Sequence, residues 1–153
     1  MRYSIDTSAI LECWVRWYPP DVFPSLWTKI DQLIDDGVLI ASDEVKEELS
    51  KKDDEVFDWA KKRSRMFVPL TTEIQKAAAE ILSKFDRLVD SRKDRSEADA
   101  FVIALAKVEN CSVVTAERHS GTATRPRIPN VCEYYGIRCV NILQFIREQG
   151  WRF

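Results

Sequence analysis

Short apolar runs alternate along this chain with longer amphipathic ones. Residues 2–6 (RYSID) and 38–42 (VLIAS) carry apolar, partly β-branched positions between turn or polar signals, which predicts strands. Residues 67–70 (FVPL) predict a further short strand, confined by Pro69 to an edge or an end. Residues 111–116 (CSVVTA) and, after Gly136, residues 137–141 (IRCVN) predict two more.

The intervening stretches have helical spacing. Leu26, Ile30, Leu33 and Ile34 form one apolar stripe, and Gly37 stops it. Residues 42–64 read as one or two helices carrying Val45, Leu49, Val56 and Trp59. Residues 71–90 predict another, with Thr71 or Thr72 as the N-cap. Residues 96–110 are apolar nearly all round from Ala98 to Ala106, so this helix should be buried. Residues 141–151 end the chain with an amphipathic turn or two. Strands separated by helices predict an α/β fold with a central parallel sheet covered on both faces, a three-layer α/β/α sandwich. At 153 residues, with no repeat and no linker, one domain spanning 1–153 is expected.

Composition narrows the class. No apolar run approaches the roughly 20 residues that cross a bilayer, and the N-terminus has no signal-peptide pattern. A cytoplasmic protein without membrane contact is the expectation. Cys13, Cys111, Cys132 and Cys139 make no CxxC pair, and His119 is the only histidine, so a zinc or other soft-metal site is not expected. The cysteines read as small apolar residues in a reducing compartment. A net charge of −2 argues against a general electrostatic nucleic-acid binder. Basic residues nevertheless cluster at 61–65, 91–95 and 117–127, either as solvated surface or as three sides of one cleft. The aromatic stretch 13–27 reads either as core or as a docking surface.

Against this background the acidic positions stand out. Asp6 closes the first strand inside a largely apolar run, where a carboxylate costs several kcal/mol unless it is neutralised. Glu117 follows the strand that carries Thr115 at its end. In parallel sheets, sites form beyond the carboxyl ends of the strands, near the switch in strand order. On the helix after the second strand, Val45 and Leu49 set the buried stripe and Glu48 lies beside it. Glu44 shares a face with Glu48 and is a possible substitute, while Glu47 points away. Asp99 is the one charged residue from Ala98 through Ala106. Each has an ordinary reading as well: an Asx or hydroxyl turn begun by Thr7 and Ser8 for Asp6, a capping box from Ser96 for Asp99, and plain surface for Glu117. Together, several carboxylates at one sheet edge would repel, and a divalent cation removes that repulsion. Hard oxygen donors without His or Cys point to Mg²⁺ or Mn²⁺, ions that serve phosphodiester cleavage.

Four segments in this order, YSIDTSAIL (3–11), IASDEVKEEL (40–49), SEADAFVIALA (96–106) and VVTAE (113–117), resemble the acidic motifs of the PIN-domain nucleases. The C-terminal residues 127–151 look like one compact branch of that family. The resemblance implies metal-dependent cleavage of single-stranded RNA, extending to toxins of VapC-type toxin–antitoxin pairs. It implies Asp6 and Asp99 as principal metal ligands, and Glu48 completing the site directly or through water. Thr115 and Glu117 correspond to a motif that usually reads Thr-x-Asp; here Glu is one methylene longer, so its contact is expected to be shifted or water-mediated. All four acids would be catalytic. Thr7 or Ser8 would hydrogen-bond Asp6 or a metal-bound water, and Arg118, Arg125 and Arg127 would contact the RNA backbone. His119 is a poor general base by this reading. RNA, an antitoxin protein and a second copy of the chain are the partners to expect. A non-cutting PIN-like module that binds RNA or a protein is the alternative. A dehalogenase-type phosphatase would need a second aspartate two residues after Asp6, where Ser8 stands.

Overall fold

A computed structural model describes residues 1–85, 97–119 and 126–153. Its centre is a five-stranded sheet built from β1 (Tyr3–Ile5), β2 (Leu39–Ser42), β3 (Phe67–Val68), β4 (Ser112–Val114) and β5 (Cys139–Val140). The order is β3-β2-β1-β4-β5, and every pair is parallel. With helices on its two faces, the fold is the three-layer α/β/α sandwich that the alternation of runs predicts.

The two faces can be read from β1 alone, because successive side chains point opposite ways. Ser4 faces α6 (Ala98–Glu109), and its hydroxyl donates to the Val102 carbonyl at 2.9 Å. A small residue here lets an almost wholly buried helix lie close against the sheet, where it packs on β1, β2 and β4. Alongside α6 lie α5 (Thr72–Lys84) and α7 (Ile128–Tyr135). Tyr3 and Ile5 point the other way. Tyr3 meets Phe145 of α8 (Ile142–Glu148) edge-on at 4.9 Å. Ile5 borders an apolar seam with Ile10, Trp27, Leu39 and Phe145. Trp27 belongs to α2 (Pro24–Asp35), the other long helix of this face.

Local chemistry sets several boundaries. Residues 42–64 form two helices, α3 (Asp43–Lys52) and α4 (Asp54–Lys61), because Asp53 leaves helical geometry and accepts the Val56 N–H at 3.0 Å. Thr71, the N-cap of α5, accepts the Ile74 N–H. Of the predicted 71–90 helix, residues 86–90 lie outside the described residues. β3 is an edge strand, as Pro69 requires.

Two elements differ from expectation. After β1 the chain turns at once into α1 (Thr7–Leu11) and a π-helical stretch over Glu12–Trp17. That wider turn places Cys13 in the core and Trp14 edge-on to Trp27 at 4.9 Å. In the aromatic stretch 13–27, Trp14 and Trp27 pack inward with Trp59, while Val15, Trp17 and Val22 are exposed. The second difference is α7, a helix the strand-centred reading leaves out. Among the described residues, no helix is long and apolar enough to cross a membrane.

Candidate metal centre

The sheet order reverses direction between β1 and β4, and these two strands end side by side. Ile5 pairs with Val114, so Asp6 and Thr115 emerge as neighbours; the Asp6 N–H donates to the Val114 carbonyl at 2.8 Å. This is the switch point at which α/β sheets form ligand sites.

Asp6 is 1% exposed. It stands at the N-cap position of α1, yet its side chain caps no backbone N–H. The carboxylate instead accepts two hydroxyls on one oxygen: Ser8 Oγ donates to Oδ2 at 2.5 Å and Thr115 Oγ1 at 2.9 Å. Those hydroxyls are themselves held. Ser8 Oγ accepts the Ala116 N–H at 3.0 Å, and Thr115 Oγ1 accepts the Glu117 N–H at 3.1 Å. The Ser8 and Thr115 hydroxyls also lie 3.2 Å apart. A lattice of hydroxyls thus stitches the end of β1 to the end of β4 and fixes the Asp6 carboxylate through Oδ2. Of the two ordinary readings of Asp6, turn amides do not meet its side chain, whereas the Ser8 hydroxyl does. Among the described residues, the buried Thr7 Oγ1 has no hydrogen-bond partner.

Asp99 enters from the first turn of α6 and is 7% exposed. The helix starts with Glu97 at the N-cap, with no side-chain cap bond. Ser96, the other half of the expected capping box, lies outside the described residues. A carboxylate oxygen of Asp99 comes within 4.8 Å of one on Glu117. Glu117 is held in turn by the first residue of α7, whose Ile128 N–H donates to Oε1 at 3.2 Å. A carboxylate at a helix N-terminus meets unsatisfied N–H groups and the positive end of the helix dipole.

One oxygen from each of Asp6, Asp99 and Glu117 lies within 4.8 Å of the others. The longer Glu117 side chain therefore reaches the group where a shifted contact was expected. Glu48 offers no oxygen to that group, although its charge acts on both Asp6 and Asp99. Glu44 faces elsewhere, with Glu47, Glu97 and Asp43 as its charged neighbours. Burial, followed by the Glu117 charge, pushes the Asp6 carboxyl up. Asp99 is raised further, by burial and then by Asp6. No described Lys, Arg or His makes an ion pair with Asp6, Asp99 or Glu117. Hard carboxylate oxygens with one aspartate pre-oriented by hydroxyls form a donor set suited to Mg²⁺ or Mn²⁺.

The 61–65 cluster lies away from the acidic group. Residues 61–65 lead into the amino end of β3, the opposite edge of the sheet, and there Arg63 binds both oxygens of Asp31 and stacks on Trp59. Residues 91–95 and Arg125 lie outside the described residues. Arg118 and Arg127 are exposed, and each adjoins a residue of the Glu117–Ile128 bond in sequence. His119 is also exposed and meets Glu133 at 2.7 Å, on the outside.

Fold and site together define a parallel α/β/α protein with a largely buried acidic cluster at its switch point. The chain belongs to the family described as a domain of unknown function, DUF4411, whose model matches residues 3–153. A comparison with curated proteins finds no match.

Proposed function

We propose that this protein is a Mg²⁺- or Mn²⁺-dependent endoribonuclease that hydrolyses RNA phosphodiester bonds. The observation that supports it most is the convergence of Asp6, Asp99 and Glu117 within 4.8 Å, at the switch point of a parallel sheet. The order of the acidic motifs along the chain supports it independently. Asp6, Asp99 and Glu117 would hold the ion, with Glu48 assisting through water. A bound divalent ion supplies an activated water and a clamp on phosphoryl oxygens. The chain's own groups do the rest. Ser8 and Thr115 keep Asp6 in one orientation, so the site is set before substrate arrives. Arg118 and Arg127 meet phosphates flanking the scissile bond. His119, turned outward to Glu133, takes no part.

The test compares wild type with Asp6→Asn and Asp99→Asn on single-stranded and structured RNA, with Mg²⁺, Mn²⁺ or EDTA. Cleavage by wild type that needs the ion and drops at least about 100-fold in both variants is expected. Cleavage that ignores EDTA, or persists in both variants, would overturn the proposal. Binding of RNA or a neighbour-encoded protein without cleavage would favour the non-cutting module. An antitoxin and a homodimer belong to the same reading; the exposed Val15, Trp17 and Val22 offer them apolar surface. Light scattering on the protein alone and co-expressed with its genomic neighbour tests both.

A further inference from the structure

The basic run at 61–65 borders a cleft of about 390 Å³ that the nuclease reading does not use. It lies where α2 ends against a 3-10 turn, Ser64–Met66, just before β3. One wall is the C-terminal end of α2, with Asp31, Ile34 and Asp35; the other is residues 62–65. Arg63 ties the two walls together. Its guanidinium donates to both Asp31 oxygens, at 2.6 and 2.8 Å, and to the Trp59 carbonyl at 3.0 Å. It also stacks on the Trp59 ring, 4.9 Å from its centre. Lys62 and Arg65 have no such duty. Both are exposed, both line the cleft, and neither makes an ion pair among the described residues.

We propose that this cleft binds a phosphorylated sugar unit, its terminal phosphate on Lys62 and Arg65 and its sugar hydroxyls on Asp35. The proposal stands apart from the nuclease reading, since no residue of the acidic group takes part. The two walls choose the ligand between them. On a chain of net charge −2, Lys62, Arg65 and the Ser64 hydroxyl share one wall, a donor set for an anion. A terminal phosphate carries about −1.5 to −2 near neutral pH, whereas a phosphodiester inside a strand carries a single charge. Two unpaired cations therefore favour the monoester. The opposite wall has the reverse chemistry. Asp35 and the last carbonyls of α2 are acceptors at the negative end of a helix, so they repel an anion and suit hydroxyl donors. A ligand with phosphate at one end and hydroxyls at the other satisfies both walls. The volume falls within the range of about 300–1,000 Å³ that small-ligand sites occupy.

The test titrates ribose 5-phosphate, adenosine 5′-monophosphate, ribose and inorganic phosphate into the isotope-labelled whole chain, stripped of divalent ions, and follows backbone amides by NMR. Ribose 5-phosphate is expected to shift the amides of residues 62–65 saturably, and ribose to leave them unmoved. Inorganic phosphate should bind there about 10-fold more weakly, for want of the bonds to Asp35. Tighter binding of adenosine 5′-monophosphate than of ribose 5-phosphate identifies a nucleotide as the source of the group; equal binding identifies a free sugar phosphate. Either result supports the proposal. Lys62→Ala and Arg65→Ala should each weaken ribose 5-phosphate about 10-fold while the amides of the sheet stay in place. Asp35→Asn should abolish the preference for ribose 5-phosphate over inorganic phosphate. Arg63 is left intact, because its bonds to Asp31 and Trp59 belong to the fold. Amides that stay unmoved at millimolar ligand would overturn the proposal. So would inorganic phosphate binding as tightly as ribose 5-phosphate, or an RNA oligomer without terminal phosphates shifting the same amides equally.

Discussion

Asp6 shows how one buried carboxylate can be tolerated. Two hydroxyls satisfy a single oxygen, Oδ2, while Asp99 and Glu117 crowd the carboxylate from the open side of the sheet. The hydroxyls offset part of the desolvation cost; the neighbouring charges add to it. A carboxyl whose folded-state pKa lies above its unfolded value binds more protons when folded. Its contribution to stability is therefore complete below the unfolded pKa and is lost as pH rises through the folded one. For Asp6 that window runs from 3.8 to about 6, and Asp99 extends it upward. EDTA-treated protein should thus lose thermal stability steadily between pH 4 and pH 8. Asp99→Asn should raise the Tm at pH 8 by about 5 °C and flatten this dependence. Mn²⁺ at about 100 times its Kd should stabilise wild type by about 2.7 kcal/mol and leave Asp99→Asn nearly unmoved. Thermal melts across pH, with and without the ion, check all three; a variant that melts lower than wild type at pH 8 in EDTA contradicts the argument.

The elements that were legible in the sequence are those whose signal is local. Strands β1, β2 and β4 and the buried helix α6 follow from unbroken or periodic apolar runs, whereas the division of α3 from α4, set by the Asp53 cap, was left open as one helix or two. The π-helical turn over Glu12–Trp17 was not legible, because its cause is the tertiary packing of Trp14 on Trp27 and Trp59. The signal for α7 was there to be read. Ile128, Val131, Cys132 and Tyr135 fall at i, i+3, i+4 and i+7, Pro129 stands in the first turn, and Gly136 follows the last residue. That helix matters to the site, since its first N–H holds Glu117. Its terminating glycine adopts φ +67°, and a Cβ there would meet no neighbour within 4 Å, so backbone conformation alone sets the cost of replacing it. Gly136→Ala should destabilise the protein by about 1 kcal/mol, measured by urea unfolding with an unchanged m-value. A neutral substitution would mean that the turn between α7 and β5 relaxes freely.

At the scale of the whole molecule, the rule that sites gather beyond the carboxyl ends of parallel strands was enough to nominate Asp6 and Glu117 together. Strand order was not legible, because no local pattern says that β4 rather than β3 lies beside β1. Glu48 illustrates the same limit: helical phase put it beside the buried stripe of α3, but could not give its distance from the other acids. Charge follows the same division. A net charge of −2 has to coexist, in the nuclease reading, with capture of a polyanion, so the few cations near the pocket must carry that task. Of the described candidates, Arg118 and Arg127 flank the Glu117–Ile128 bond, whereas Arg63 is committed to Asp31 at the far edge. Single-stranded RNA binding, measured in Ca²⁺ or with Asp99→Asn to suppress cleavage, should therefore depend on few phosphate contacts. Replacing Arg127 by alanine should weaken binding about equally for all sequences and reduce the slope of log K against log salt by about 0.7, the value for one phosphate contact on a single strand. Arg118→Ala should do the same, and Arg63→Ala should leave the slope unchanged. A steep slope that neither Arg118 nor Arg127 affects would place the RNA path elsewhere on the surface, away from the acidic pocket.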